Sequence, residues 1–280
     1  MDPDDYCRSH AAPPASSLHY ALLFLDDARR SAITALAAFV RELAKASRDT
    51  SDAGVAAAQL AWWRIELGQL TAGTPQHPVT RSLARHAVAF PILTEGVEDL
   101  LDAAAEDLAR PRHVTFASLA AHCDAWGGTA AALSARVIRA QDDALEVQAR
   151  RIGGVLRLGE ILRDVGVDAR RNRIYLPQED MARYGVTAAE ILQRRPGEGF
   201  APLMSFQTAR HAQLRREAIA PLSRDARHAL RPALILARLQ AALLHEIERD
   251  RFAVLEQRAS LTPIRKLWIA WRTYSNPSLG

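Results

Sequence analysis

Cysteine is scarce: Cys7 and Cys123 are the only two in 280 residues, and neither belongs to a CxxC or Cys/His ligand spacing. That excludes a disulfide framework and a zinc site as organising features, and it makes a cytoplasmic compartment the expectation. Nowhere do 18 apolar residues run together, so contact with a membrane, an inner membrane included, is expected to be at most peripheral. The start, Met1-Asp2-Pro3-Asp4-Asp5, lacks the basic-then-apolar order of a signal peptide. Strand patterning is also missing, because only Arg173-Ile174-Tyr175-Leu176 looks extended and Pro177 cuts it off. No glycine-rich phosphate loop follows a strand and no nucleic-acid module is recognisable, so nucleic acid is not an expected partner.

What remains is 49% hydrophobic and 24% charged residues, which suits one large helical core. The net charge of +4 is compatible with a polyanionic small molecule or an anionic surface but does not choose between them. Ser16-Ser17 can cap a helix that carries Leu18 to Leu25, and the apolar pattern resumes from Ile33 through Leu43. Asp49-Thr50-Ser51-Asp52 resembles a cap for a third helix with Trp62 and Trp63. Further helices are read at 79–90, 94–109, 115–139, 142–167, 187–194, 202–219, 224–248 and 250–258. The division expected is a lead-in over 1–15, a helical domain over 16–272 and a tail over 273–280. The tail end of that domain, Pro263 to Arg272, is basic and aromatic. It could rest on a membrane surface or bury its tryptophans against the body.

The segment with the strongest chemistry runs from Glu160 to Pro177. Asp164 and Asp168 are four residues apart, so on a helix both carboxylates share a face, with Glu160 one turn earlier. Like charges at that spacing ask for a compensating cation, which Mg2+ could supply together with a substrate phosphate. Alternatively, Arg163, Arg170, Arg171 and Arg173 neutralise a solvated pair.

The string ILRDVGVDARRNRIYLPQEDMARYGV resembles the second aspartate-rich motif of the squalene/phytoene synthase family, and most closely that of bacterial presqualene diphosphate synthases of hopanoid pathways. Ser16 to Ala21, Leu60 to Arg64, His77 to Arg81, Glu248 to Phe252 and Leu261 to Pro263 agree in order. The resemblance implies an all-α isoprenoid synthase fold, a single helical domain with a central cavity. It implies two DxxxD motifs that hold Mg2+ on the diphosphates of two prenyl substrates such as farnesyl diphosphate. It makes Asp164, Asp168 and Glu160 the metal candidates, adds Tyr20 to Asp164 and Asp168 as catalytic candidates, and makes Arg41, Lys45, Arg48, Arg163 and Arg171 the diphosphate contacts.

The chain departs from that pattern at the first motif, where Ala44 and Arg48 stand at the two metal-ligand positions. Asp49 is one residue out of register, about 100° around a helix. Near the same expected cavity Ala37 and His122 replace tyrosines, Trp126 replaces a valine, and Arg157 and Glu160 replace a glutamine and an asparagine. Lys45 and Arg48 could contact a phosphate directly, or pair with Asp164 and Asp168 across a cavity without metal, and the pairing is the expectation because it needs no ligand. The functional expectation is a family member with weakened or absent prenyltransferase activity and a binding or assembly role. A mitochondrial complex I assembly factor that also resembles phytoene synthases is a precedent in kind for a protein partner. The alternatives are an active Mg2+-dependent head-to-head prenyltransferase and a non-catalytic subunit beside an active paralogue.

Overall fold

The computed structural model describes residues 1–48, 52–110 and 112–276, and among these it contains helices and no strand. The first seven helices are α1 (Pro3–Ala11), α2 (Ser17–Leu22), α3 (Asp27–Arg48), α4 (Ala53–Thr71), α5 (Pro78–Ala87), α6 (Ile92–Glu95) and α7 (Glu98–Ala109). Their starts follow local chemistry. Ser16 accepts a hydrogen bond from the His19 amide at 3.1 Å, and Asp52 accepts from the amides of Gly54 and Val55 at 2.7 and 3.1 Å. Proline opens α1 and α5, where its missing N–H has no helical partner to lose. The lead-in thus contains a helix, α1, which packs on α3 and α5. The remainder of the capping segment, Asp49 to Ser51, lies outside the described residues.

The stretch expected as one helix over 115–139 is α8 (Phe116–Cys123), a π-helical turn (Asp124–Gly128) and α9 (Thr129–Ile138) in succession. The π turn is where this segment meets α10 (Asp143–Arg163) backbone to backbone. A methyl group on Gly127 would collide with the Gly153 carbonyl, and one on Gly153 with the Gly127 carbonyl. Glycine at both positions permits that approach. α10 is central, touching the π turn, α8, α9, α14 (Phe200–Ile219) and α16 (Arg231–Arg249). The chain between them forms α11 (Val165–Arg170), α12 (Gln178–Arg183), α13 (Ala188–Leu192) and α15 (Arg224–Ala229), and α17 (Pro263–Ser275) closes the order.

Besides the 115–139 stretch, four expected helices are corrected, and the one over 94–109 breaks at Gly96, which ends α6 at φ −117° and ψ 2° before α7 starts at Glu98. The 142–167 helix breaks at Asp164, whose φ of −101° and ψ of 15° separate α10 from α11. The 224–248 helix breaks at Leu230 because Pro232, entering the first turn of α16, has no N–H to continue the ladder from α15. Residues 250–258 hold only a 3-10 turn, Ala253–Leu255, since Arg251 and Phe252 take φ values of 52° and 59°. Apolar side chains gather into a core around Leu36, Phe39, Leu43, Trp63 and Leu100 in the first half, and another around Leu162, Leu203, Met204 and Ile247 in the second.

Candidate functional site

Arg48 is the last residue of α3 and is 8% exposed. Its Nε donates to Oδ2 of Asp107 on α7 at 2.8 Å. The Tyr175 hydroxyl also reaches this carboxylate, at 3.0 and 3.1 Å from its two oxygens, and Arg173 Nη1 lies 3.6 Å from Oδ1. Arg173 further donates to the backbone carbonyls of Asp107 at 3.0 Å and Ser47 at 2.5 Å. The non-helical strap from Arg173 to Tyr175 therefore ties together the C-terminal ends of α3 and α7, satisfying carbonyls that a helix end leaves open. Burial alone would raise the Asp107 carboxyl, but Arg48 and Arg173 outweigh it and hold the group below the usual carboxylate range. Burial pushes the Tyr175 phenol up to about 12 and the neighbouring His122 imidazole down to about 3, so both are neutral at pH 7.

This overturns the expected pairing of the first-motif cations. Arg48 is engaged by Asp107, while Lys45 is exposed on α3. The physical reason is reach and burial: Arg48 points into the interior beside α7, where an unpaired guanidinium would be costly and Asp107 supplies the compensating charge. Asp107 and Tyr175 were not among the sequence candidates. A signal for Asp107 existed, because it continues the buried stripe Leu100, Ala103, Ala104 at the next helical position.

The second-motif acids are held in three different ways. Asp164 sits at the α10–α11 break and accepts from Arg163, whose Nε is 2.9 Å away, and from Arg258 Nε at 3.0 Å. Although burial opposes it, these two guanidiniums keep the Asp164 carboxyl below its ordinary range. Asp168 is 7% exposed, and burial pushes its carboxyl up to about 6 against the pull of Arg157 and Arg48. Glu160 pairs with Arg157 at 3.2 Å on a partly exposed face. The remaining sequence candidates are dispersed. Arg41 donates to the His10 carbonyl, Arg171 is exposed but within electrostatic reach of Asp168, and Tyr20 packs into the cluster where α2 meets α16 and α17.

Between α3, the π turn and α10 the space is occupied by side chains. Trp126 is 2% exposed, with the Arg48 guanidinium 4.9 Å from its ring centroid. The guanidiniums of Arg48 and Arg157 lie 5.6 and 5.8 Å from the Tyr175 ring centroid, and the His122 ring sits 5.2 Å from it at a tilt of 34°. Ala37, by contrast, is partly buried against the first-half core. Arg48 Nη2, Arg157 Nε and Nη2 and Trp126 Nε1 are buried without a protein partner, and all four can only donate.

These residues do not fit a magnesium site. Mg2+ needs carboxylate and phosphate oxygens at close to octahedral geometry. Among the described residues no three His, Cys, Asp or Glu side chains gather to hold an ion. Asp164 is committed to arginines, and the buried guanidiniums of Arg48 and Arg157, which keep donors to spare, would repel a divalent cation. A separate cleft of about 370 Å3 opens on another face of α10, along Arg150, Gly154 and Leu158, and is walled by Phe116, Leu214 and Ala218.

Comparison with known proteins gives a consistent answer. The profile described as squalene/phytoene synthase matches residues 12–265. A phytoene synthase from Arthrospira platensis is 31% identical over 95% of this chain and 90% of its own length. The 15-cis-phytoene synthase of Synechocystis is 29% identical over 95% of this chain and 84% of its own. Among solved structures, a dehydrosqualene synthase with bound ligand superposes with a TM-score of 0.79 at 22% identity, covering 99% of this chain and 97% of the other. The squalene synthase HpnC from Alicyclobacillus acidocaldarius gives a TM-score of 0.71 at 21% identity, over 89% and 94% of the two chains. The isoprenoid synthase fold expected from the sequence is the fold found. Among the described residues no helix is long and apolar enough to cross a membrane.

Proposed function

This chain belongs to the squalene/phytoene synthase family, and on that premise we propose that its two-substrate, magnesium-dependent condensation is lost or severely impaired and that it serves a binding or assembly role. The observation that carries this reading is the buried Arg48–Asp107 pair at 2.8 Å. The family resemblance puts a metal-ligating carboxylate where Arg48 stands, and here that position is a cation built into the packing between α3 and α7. Losing one charged group that acts in the transition state costs on the order of 100- to 1,000-fold in rate, and this site lacks two while gaining positive charge. A prenyl diphosphate approaching the site would meet guanidinium and indole donors in place of a metal. Such an arrangement serves recognition of an anionic ligand or of a protein partner, an active paralogue included, better than ionisation of an allylic diphosphate.

The test is calorimetric titration with a non-hydrolysable farnesyl diphosphate analogue, with and without Mg2+, alongside product analysis with farnesyl and geranylgeranyl diphosphates. The expected result is no condensation product and no dependence of binding on Mg2+. Magnesium-dependent product formation would sink the reading. The double variant Ala44→Asp/Arg48→Asp sharpens the test. It should not gain turnover, because the new carboxylate at position 48 faces Asp107 with only Arg173 left to offset the two, and it should lose more than about 3 kcal/mol of stability.

A further inference from the structure

α17 has two apolar faces. Ile269, Ala270 and Thr273 are buried and pack the helix on α16 and α2. On the opposite side Ile264, Leu267, Trp268 and Trp271 are 83%, 44%, 52% and 57% exposed. At about 100° per residue these four fall in one stripe roughly 100° wide, diametrically across from the buried face. The helix carries Arg265, Lys266 and Arg272 and no acidic residue over Pro263–Ser275. Arg272 lies along the stripe with its guanidinium 5.1 Å from the Trp268 ring centroid, and Arg265 flanks the same stripe, tethered to Glu246 at 2.8 Å.

A solvent-facing stripe of two indoles, a leucine and an isoleucine, edged by cations, matches a surface that is apolar below and anionic above. Tryptophan suits that boundary because its ring is apolar and its N–H is polar. The inner face of α17 fixes it to the body, so the outer stripe can insert without the helix leaving the fold. α4 also exposes Val55, Trp62 and Ile65, but it carries a single cation, Arg64, together with the acidic Glu66, whereas α17 carries three cations and no acid. Charge complementarity therefore selects α17.

We propose that α17 is a membrane-docking helix that lies flat on an anionic lipid surface, with Ile264, Leu267, Trp268 and Trp271 at the level of the headgroup–acyl boundary and Arg265 and Arg272 against lipid phosphates. Binding of this kind is set by buried apolar area together with attraction to anionic headgroups. It does not depend on whether the site between α3 and α10 binds a ligand.

The experiment is co-sedimentation of the full chain with vesicles of one part phosphatidylglycerol to two parts phosphatidylcholine, compared with phosphatidylcholine alone. Partition should be stronger on the anionic vesicles and should weaken with salt. The Trp268→Ala/Trp271→Ala variant should lose at least about tenfold in partition, with an unchanged thermal unfolding curve because both indoles are half exposed. Trp62→Ala should partition like the parent. In the unmodified protein, brominated acyl chains should quench tryptophan emission. The proposal is overturned if the parent stays in the supernatant with anionic vesicles, if the double variant partitions like the parent, if the loss is confined to Trp62→Ala, or if brominated chains leave the emission unchanged. It is equally overturned if the stripe proves to be the seat of a dimer that the double variant dissolves while vesicles bind neither form.

Discussion

Asp107 and Asp168 are buried to almost the same degree, 2% and 7% exposed, yet their carboxyls are driven in opposite directions. Asp107 has a guanidinium at 2.8 Å and a phenol at 3.0 Å, and it remains an anion. Asp168 lies within the electrostatic reach of Arg157 and Arg48, but burial dominates and raises it to about 6. Burial therefore does not decide the fate of an interior acid in this protein. What separates them is the charge around each: Arg48 and Arg173 flank Asp107, with Arg48 in direct contact, whereas Asp168 has the Asp164 carboxylate raising it beside the guanidiniums that lower it.

The comparison breaks most visibly at Asp107. Replacing it with alanine leaves Arg48 and Arg173 buried without their shared anion, and equilibrium denaturation should show a loss of about 3–5 kcal/mol. Asp168→Asn should do the reverse. For the parent, between about pH 4 and 6 the folded chain holds a proton on Asp168 that the unfolded chain has released, so this residue's contribution to stability falls as pH rises through that window. The total is about 2–3 kcal/mol. The asparagine variant should remove this decline and be more stable than the parent at pH 7, while matching it near pH 4, in urea titrations at the two pH values. Asp107 has the opposite sign: its contribution is present above the ordinary carboxylate pKa and is lost as pH falls below it. The smallest effect is expected for Tyr175→Phe, which removes one neutral donor from a charged acceptor and should cost about 1.5–2 kcal/mol in the same assay. If Tyr175→Phe cost as much as Asp107→Ala, the phenol and not the guanidinium would be what keeps Asp107 ionised.

Much of the fold could be read from local chemistry. The caps at Ser16 and Asp52 and the helical apolar stripes act within a few residues, whereas α1 and α17, each opened by a proline, were not among the helices expected. The family string from Ile161 onward was legible for the same reason, and so was the loss of carboxylates at positions 44 and 48. The break at Asp164 was not, since neither proline nor glycine occupies that position. One of its two guanidinium partners is Arg258, 94 residues further along. Likewise the identity of Arg48's partner depends on how α3 meets α7, 59 residues away in sequence. Spacing placed Asp164 and Asp168 on one face, but it carried no information about which arginine would arrive first.

The Arg173–Tyr175 strap has a consequence for how the chain is made. Ser47 and Arg173 are separated by 126 residues, and Arg173 closes the carbonyl ends of both α3 and α7. A ribosome that has released only the first seven helices has made Arg48 and Asp107 but not the residues that lock them. The N-terminal core must then wait, with its two helix ends solvated, until the strap emerges and docks. Contacts of such long sequence separation form late and slow the search. The Arg48–Asp107 junction is, in time as well as in space, where the two halves of the molecule become one.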